Sequence, residues 1–351
     1  MTLAQKKKIV RAGSDFTGVG TFGLAVKHTI RKLKGWQYQC THACDAKRCC
    51  QKLIMHHHPD IYFSDNIVTR EVEEVPACDL FSFTPPCSPF SSSGKRKGAK
   101  DPLGRLALYS LKYICYHKPY AVLMENVVQL CKGKHRRLFN TILRGLDGAK
   151  YTCRWSVLST EDYGLPQHRK RLYLIAIRND RLRATELSWF PPPLRAQIPF
   201  KALVPKLPRN VWRALPEGGM ALDNVKNAYV KCVAKGINPF ITPVVIDAGS
   251  STKYASFQVN RSPTLTGARA GSLGYWCSTK GGPLTAEDCA RLQGFDLDDL
   301  HYEAAGLSPN QFAGCMGQAN SFTVMRALIP MLMWLACMID DAELAKAQLT
   351  N

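Results

Sequence analysis

Short apolar runs alternate with stretches of helical period from the N-terminus to about residue 178, which predicts an α/β chain of strand–helix units. Ile9–Phe16 reads as a first strand and Phe22 to about Lys34 as its helix. Tyr38–Cys44 follows as a strand, Ala46 to about His57 as a helix and Ile61–Phe63 as a third strand. Asp79–Phe83 is a short apolar run ended by Pro85 and Pro86. A buried strand is expected there, because proline cannot continue a central ladder. Gly104–His117 carries Leu106, Leu108, Leu111 and Ile114 at helical spacing. Tyr120–Met124 is a continuous apolar strand and His135–Leu146 a helix. Trp155–Ser159 and Leu172–Arg178 read as two more strands.

The alternation fails from about Asp180 to about Gly281. Pro191, Pro192 and Pro193, with recurrent glycine and serine from Arg261 to Ser272, predict a second, less regular domain of short strands and loops. A helix returns at Leu284–Gly294, with Thr285 as its cap and Glu287 in its first turn. A polar turn, Gly317 to Ser321, then precedes the most apolar stretch, Val324–Met338. That stretch contains Arg326 and is short for a bilayer, so a buried helix is expected.

The 351 residues suffice for one large α/β domain and a smaller one, and 46% apolar content can build a substantial core. Lys plus Arg number 47 against 27 for Asp plus Glu, a formal net charge of +20. That favours a polyanionic partner, most simply nucleic acid. An anionic membrane is the competing partner, and no long basic amphipathic helix supports it. The 14 cysteines are scattered through ordinary globular sequence with no secretory signal before them. They read as reduced thiols of an intracellular protein, placed in cytoplasm or nucleoid in a prokaryote or virus and in the nucleus of a eukaryote. Lys6, Lys7 and Lys8 read as the solvated start of a strand.

Gly18, Gly20 and Gly23 fit G-x-G-x-x-G between the first strand and its helix, where the backbone can approach a nucleotide-like ligand. Asp45 stands at the second strand's end, where a ribose hydroxyl is held. Asp65, past the third strand, suits an adenine amine or a turn. NAD and S-adenosylmethionine both fit this unit. Cys87 sits on a rigid loop at a strand end, placed to act as a nucleophile, although a lone cysteine is more often a packing residue. The serines from Ser91, with Lys95, Arg96 and Lys97, form a basic tail suited to phosphates. Glu125 and Asn126 end a strand on the functional edge of a parallel sheet, where Asn126 also suits a helix cap. Strand alternation would put Gln167, Arg169 and Arg171 on one face, and a solvated basic hairpin is the plainer reading. Cys40, Cys44, Cys49, Cys50 and His56 to His58 match no standard zinc spacing, so no metal is expected.

In this order the motifs resemble those of the DNA (cytosine-5) methyltransferase family, over most of the chain. PPCSPFSS resembles the catalytic-cysteine loop, MENV the catalytic-glutamate motif and QHRKR the Q-x-R-x-R motif. GPLTAEDCARLQGFD resembles a late helix motif, and GQANSF the final motif. Five motifs in family order make chance agreement improbable. The resemblance implies a Rossmann-like, mostly parallel sheet with helices on both faces that binds S-adenosyl-L-methionine. Residues 1–180 and 282–351 are expected to form the catalytic domain, and 181–281 a target recognition domain. The final turn and helix are expected to pack back beside the first strand. Cys87 would add to carbon-6 of a flipped-out cytosine, Glu125 would hold ring nitrogen 3 and the exocyclic amine, and Arg169, with Arg171, would support the base's carbonyl oxygen and phosphate. Cofactor contacts would come from Phe16, Gly18, Gly20, Asp45, Asp65, Pro85, Asn320 and Ser321. DNA contacts would come from Ser91, Lys95, Arg96, Lys97, Asn126 and Gln167, with Lys253 and Arg269 in the target domain. The expected partner is double-stranded DNA, with no membrane, and the chain is expected to be a monomer. Transfer RNA is the alternative substrate within the fold. An NAD-dependent oxidoreductase ranks far lower, because it leaves PPC, ENV and QHRKR unexplained. Three positions depart from the family: Ser14 stands where Asp is usual, Ala43 or Cys44 where a ribose-binding Glu is common, and Ala319 where Gly is usual.

Overall fold

The computed structural model describes residues 7–87, 102–184, 186–194 and 196–348. Contacts divide the chain into two units, one of residues 1–158, 170–192 and 324–351, the other of residues 159–169 and 193–323.

The first unit runs β1 (Lys8–Asp15), α1 (Thr21–Arg31), β2 (Trp36–Cys44), α2 (Arg48–His57), β3 (Tyr62–Ser64), β4 (Leu80–Phe83), α3 (Ala107–His117), β5 (Ala121–Val127), α4 (Arg136–Gly148), β6 (Tyr151–Ser159) and β7 (Lys170–Arg178). Its sheet has the order β3-β2-β1-β4-β5-β7-β6. Strands β3, β2, β1, β4 and β5 are parallel neighbours, and β7 is antiparallel to β5. Leu80, Phe81 and Phe83 of β4 and Ala121 to Met124 of β5 are fully buried. Strands covered on both faces read as unbroken apolar runs, which is why the sequence pattern marks them. The chain moves outward from β1 to β3 and then crosses to β4 on β1's other side. That reversal opens a crevice at the carboxyl ends of β1 and β4, where ligands of open α/β sheets bind.

Two boundary differences bear on the site. Strand β5 runs on through Glu125, Asn126 and Val127, because β7 pairs with those residues, Glu125 opposite Tyr173 and Val127 opposite Arg171. Strand β7 starts only at Lys170, so Gln167 and Arg169 precede it and share no strand face with Arg171.

The second unit holds α5 (Phe200–Leu203), α6 (Gly219–Val233), β8 (Val244–Asp247), β9 (Phe257–Val259), α7 (Gly267–Gly271), β10 (Tyr275–Cys277), β11 (Gly282–Pro283), α8 (Ala286–Leu292) and α9 (Pro309–Gln318). Four antiparallel strands form a small sheet, β11-β10-β8-β9. Helix α6 packs Val225, Ala228, Tyr229 and Cys232 against Val244, Ile246 and Trp276. It is absent from the sequence reading, since exposed Val230 and Val233 blur its apolar stripe. Thr285 caps α8 as expected, and Asp288 completes a capping box.

Helix α10 (Phe322–Leu335) leads back into the first unit, where α11 (Asp341–Gln348) ends the described chain. Glu343 accepts a hydrogen bond from the Trp36 indole at 2.7 Å and lies 3.6 Å from the Lys8 ammonium, so α11 sits beside β1 and β2. All 14 cysteines are free thiols. Among the described residues no helix is long and apolar enough to cross a membrane.

Candidate active site

The glycine loop after β1 is built on left-handed backbone. Phe16 has φ 56°, Gly18 φ 59° and Gly20 φ 80°. A Cβ added at Gly18 would meet nothing within 4 Å, so its backbone faces open space. The Gly18 N–H donates to Asp45 at 2.8 Å, and the Lys47 N–H donates to the other Asp45 oxygen at 2.9 Å. Burial pushes the Asp45 carboxyl up, against these two bonds. The Asp45 N–H donates in turn to the Ser64 carbonyl at 3.1 Å, which ties the ends of β2 and β3 together next to exposed Asp65. Ser14, standing where the family's Asp is usual, contacts the Thr17 hydroxyl at 3.0 Å. Neighbouring Asp15 is buried in an ion pair with Arg70 and cannot replace it.

Strand β4 hands over to the cysteine loop through Thr84, whose N–H reaches the Asp15 carbonyl at 3.3 Å and whose hydroxyl reaches the Phe16 carbonyl at 2.9 Å. Pro85 is buried and Cys87 exposed. Asn126 donates its side-chain amide to the Pro85 carbonyl at 3.0 Å and accepts the Val127 N–H at 2.9 Å. Asn126, expected at DNA, is 1% exposed, and its amide holds the Pro85 carbonyl at the start of the cysteine loop. Arg171 Nε lies 3.2 Å from Glu125 Oε1, both side chains being mostly buried. The register explains this pair. Glu125 stands opposite Tyr173, and Arg171, two residues earlier on β7, is its diagonal neighbour on the same face.

In the second unit Gln167 and Arg169 are buried. Gln167 donates to the Leu292 carbonyl at 3.0 Å. Arg169 donates to the Leu265 carbonyl at 3.2 Å and the Ala319 carbonyl at 2.8 Å. Gln293 joins it on Ala319 at 3.1 Å. These groups clamp the turn just before Asn320 and Ser321, which are themselves buried. Gln167, expected at DNA, and Arg169, expected at the base, thus both make buried hydrogen bonds to backbone carbonyls of this unit. Arg171 is the arginine that lies beside Glu125. Arg269 is also committed, 2.7 Å from Asp247 and donating to the Gly249 carbonyl. Ser91, Lys95, Arg96 and Lys97 lie outside the described residues.

The model of the C-5 cytosine-specific DNA methylase family matches residues 11–333. The type II methyltransferase M.DsaV of Dactylococcopsis salina is 23% identical over 308 residues, 83% of this chain and 77% of its own. M.SsoII of Shigella sonnei is 31% identical over 136 residues, 38% of this chain and 36% of the relative. M.HhaI of Haemophilus parahaemolyticus is 28% identical over 165 residues, 47% and 48% of the two chains. The last two matches therefore span less than half of each relative. Among solved structures, the methyltransferase EhMeth of Entamoeba histolytica superposes with a TM-score of 0.65 at 16% identity, covering 93% of this chain and 98% of that one. A DNMT2 variant of Spodoptera frugiperda gives a TM-score of 0.63 at 15% identity, covering 92% and 99%. At these identities the structures speak for the fold, a mixed α/β architecture with a mostly parallel sheet.

Proposed function

This chain belongs to the C-5 cytosine-specific DNA methylase family, and from that premise we propose that it methylates carbon-5 of a flipped-out cytosine in double-stranded DNA through a covalent bond to Cys87. The observation that carries the residue roles is the strand edge where Asn126 fixes the Pro85 carbonyl, two residues before Cys87, while Arg171 holds Glu125.

The donor set suits S-adenosyl-L-methionine. Gly18 presents backbone to open space, and Asp45 and Asp65 stand at the ends of β2 and β3 for a ribose and an adenine amine. Phe16 offers an aromatic face for the adenine. When bound, this cofactor supplies an electrophilic methyl group on a sulfonium. Asn320 and Ser321 are proposed as further contacts.

Carbon-5 of cytosine is a weak nucleophile. Addition of the Cys87 thiolate to carbon-6 would make carbon-5 enamine-like and nucleophilic toward the cofactor's methyl group, which the sulfonium would give up by breaking its carbon–sulfur bond and leaving as S-adenosylhomocysteine. Loss of the carbon-5 proton to solvent returns an electron pair to the ring, and the Cys87–carbon-6 bond breaks. Glu125 holds ring nitrogen 3 and the exocyclic amine, so that a proton shared there relieves the negative charge raised by thiolate addition. Arg171 keeps the Glu125 carboxylate in place and offers its remaining N–H groups to the base's carbonyl oxygen. The base is out of reach inside a duplex and must be extruded. The +20 charge supports a polyanionic substrate, and Lys95, Arg96 and Lys97 are proposed to contact its phosphates.

A transfer assay with methyl-labelled cofactor tests this reading. Label recovered as 5-methylcytosine from duplex DNA is expected. Label in transfer RNA alone would keep the chemistry and change the substrate, and label in neither would overturn both.

A further inference from the structure

We propose that the buried Asp15–Arg70 pair is a positioning device that sets the shape of the cofactor crevice. The inference rests on the S-adenosyl-L-methionine reading of that crevice. Both Asp15 oxygens receive Arg70 N–H groups, at 2.5 and 2.7 Å, and the Ser110 hydroxyl of α3 donates to the carboxylate at 2.7 Å. The two side chains are 0% and 4% exposed. Arg70 lies over the Tyr113 ring, 5.8 Å from its centroid. Burial pushes the Asp15 carboxyl up, while the Arg70 charge and the Ser110 bond oppose it.

A fully buried ion pair contributes little net stability, because desolvation offsets the attraction. A bidentate guanidinium–carboxylate contact does fix geometry. Asp15 ends β1 and immediately precedes Phe16, the left-handed residue that opens the glycine loop. The Asp15 carbonyl also accepts the Thr84 N–H at the start of the cysteine loop. Arg70 closes the segment that begins at Asp65 beyond β3. One contact therefore sets Phe16 and Asp65, the two proposed adenine contacts, relative to each other, and it anchors the residue that leads to Cys87. Both side chains are enclosed, leaving neither open to a ligand, so both are positioning residues.

The variants Asp15→Leu, Arg70→Met and the double variant Asp15→Leu/Arg70→Met separate geometry from stability. Each is measured for its thermal midpoint and, by calorimetry, for affinity for S-adenosylhomocysteine. Either single change leaves one buried charge unpaired, and both the midpoint and the affinity are expected to fall. The double change removes both charges, and its midpoint should return toward that of the unaltered chain. Its affinity should stay about tenfold or more below the unaltered chain, because the loop geometry is lost. A double variant that regains full affinity along with its midpoint would overturn the positioning role. So would an Arg70→Met variant that folds and binds normally. An unaltered chain that fails to bind S-adenosylhomocysteine would instead overturn the cofactor reading on which the proposal rests.

Discussion

The Asn126 amide donates to the Pro85 carbonyl at 3.0 Å, two residues before Cys87, and its oxygen is taken by the Val127 N–H. The start of the Cys87 loop is thus pinned to the strand that carries Glu125. Asn126→Ala leaves a buried carbonyl unpaired, which costs about 1–3 kcal/mol of stability. A displaced nucleophile costs about a hundredfold in turnover, and cofactor affinity should change little. Single-turnover methyl transfer together with calorimetry reads both. Full turnover in a folded Asn126→Ala protein would remove this contact from the mechanism.

Arg171 and Arg169 should fail differently. Arg171→Ala releases Glu125, and turnover should fall by about a hundredfold or more while the protein stays folded. Arg169→Ala orphans the Leu265 carbonyl and leaves the Ala319 carbonyl to Gln293 alone, so its main effect should be a loss of folding stability of about 1–3 kcal/mol. Denaturant titration beside steady-state kinetics separates the two. Equal kinetic defects at equal stability would return Arg169 to the catalytic edge.

The cores of β4 and β5 were legible because Leu80 to Phe83 and Ala121 to Met124 are covered on both faces and read as apolar runs. The contacts of Asn126, Arg169 and Arg171 were not legible. Glu125 and Asn126 break the apolar run, and only the later strand β7 shows that they still lie in a ladder. The alternation of Gln167, Arg169 and Arg171 suggests one face, yet whether a residue lies before or inside β7 depends on tertiary pairing. Gln167 instead bridges to Ser262. Arg70 meets its partner across 55 positions of sequence, a distance at which no local pattern speaks.

Site choice should depend on the loop between β8 and β9. Lys253 lies 5.6 Å from the Tyr254 ring centroid, and both are exposed. Between Asn224 and Thr285 the sequence has one carboxylate, Asp247, against seven Lys and Arg residues, and Arg269 already occupies it. Lys253→Ala with Tyr254→Ala should weaken duplex binding and reduce the salt dependence of binding by about one phosphate contact. Arg269→Met should lower stability instead. Unchanged DNA affinity and unchanged methylated sequence in the loop variant would place recognition elsewhere.

His42 should make the fold sensitive to acid. Its ring is enclosed with Phe81 and Tyr113, and burial first, then the Arg70 charge, push its pKa down to about 3. The unfolded chain therefore binds a proton that the folded one refuses. The His42 contribution is fully present above about pH 6.5 and is lost as pH falls toward 3, by up to a few kcal/mol. His42→Gln should flatten the decline of unfolding free energy across that window. An unchanged slope would assign the acid sensitivity to other groups.

The covalent role of Cys87 has the sharpest test. If Cys87 adds to carbon-6, fluorine at carbon-5 blocks the last step, because no proton is there to leave. Duplex DNA with 5-fluorocytosine in its recognised sequence should remain joined to the protein after one methyl transfer. The adduct should require S-adenosyl-L-methionine to become stable and should survive denaturation. Its mass should map to the peptide containing Cys87, and Cys87→Ala should abolish it. Four of the other 13 cysteines offer a control, since burial pushes the thiols of Cys44, Cys78, Cys153 and Cys289 up to about 12 and keeps them protonated at neutral pH. Trapping through another cysteine would sink the assignment. Trapping on fluorinated transfer RNA with none on DNA would keep Cys87 as the nucleophile and move the substrate to RNA.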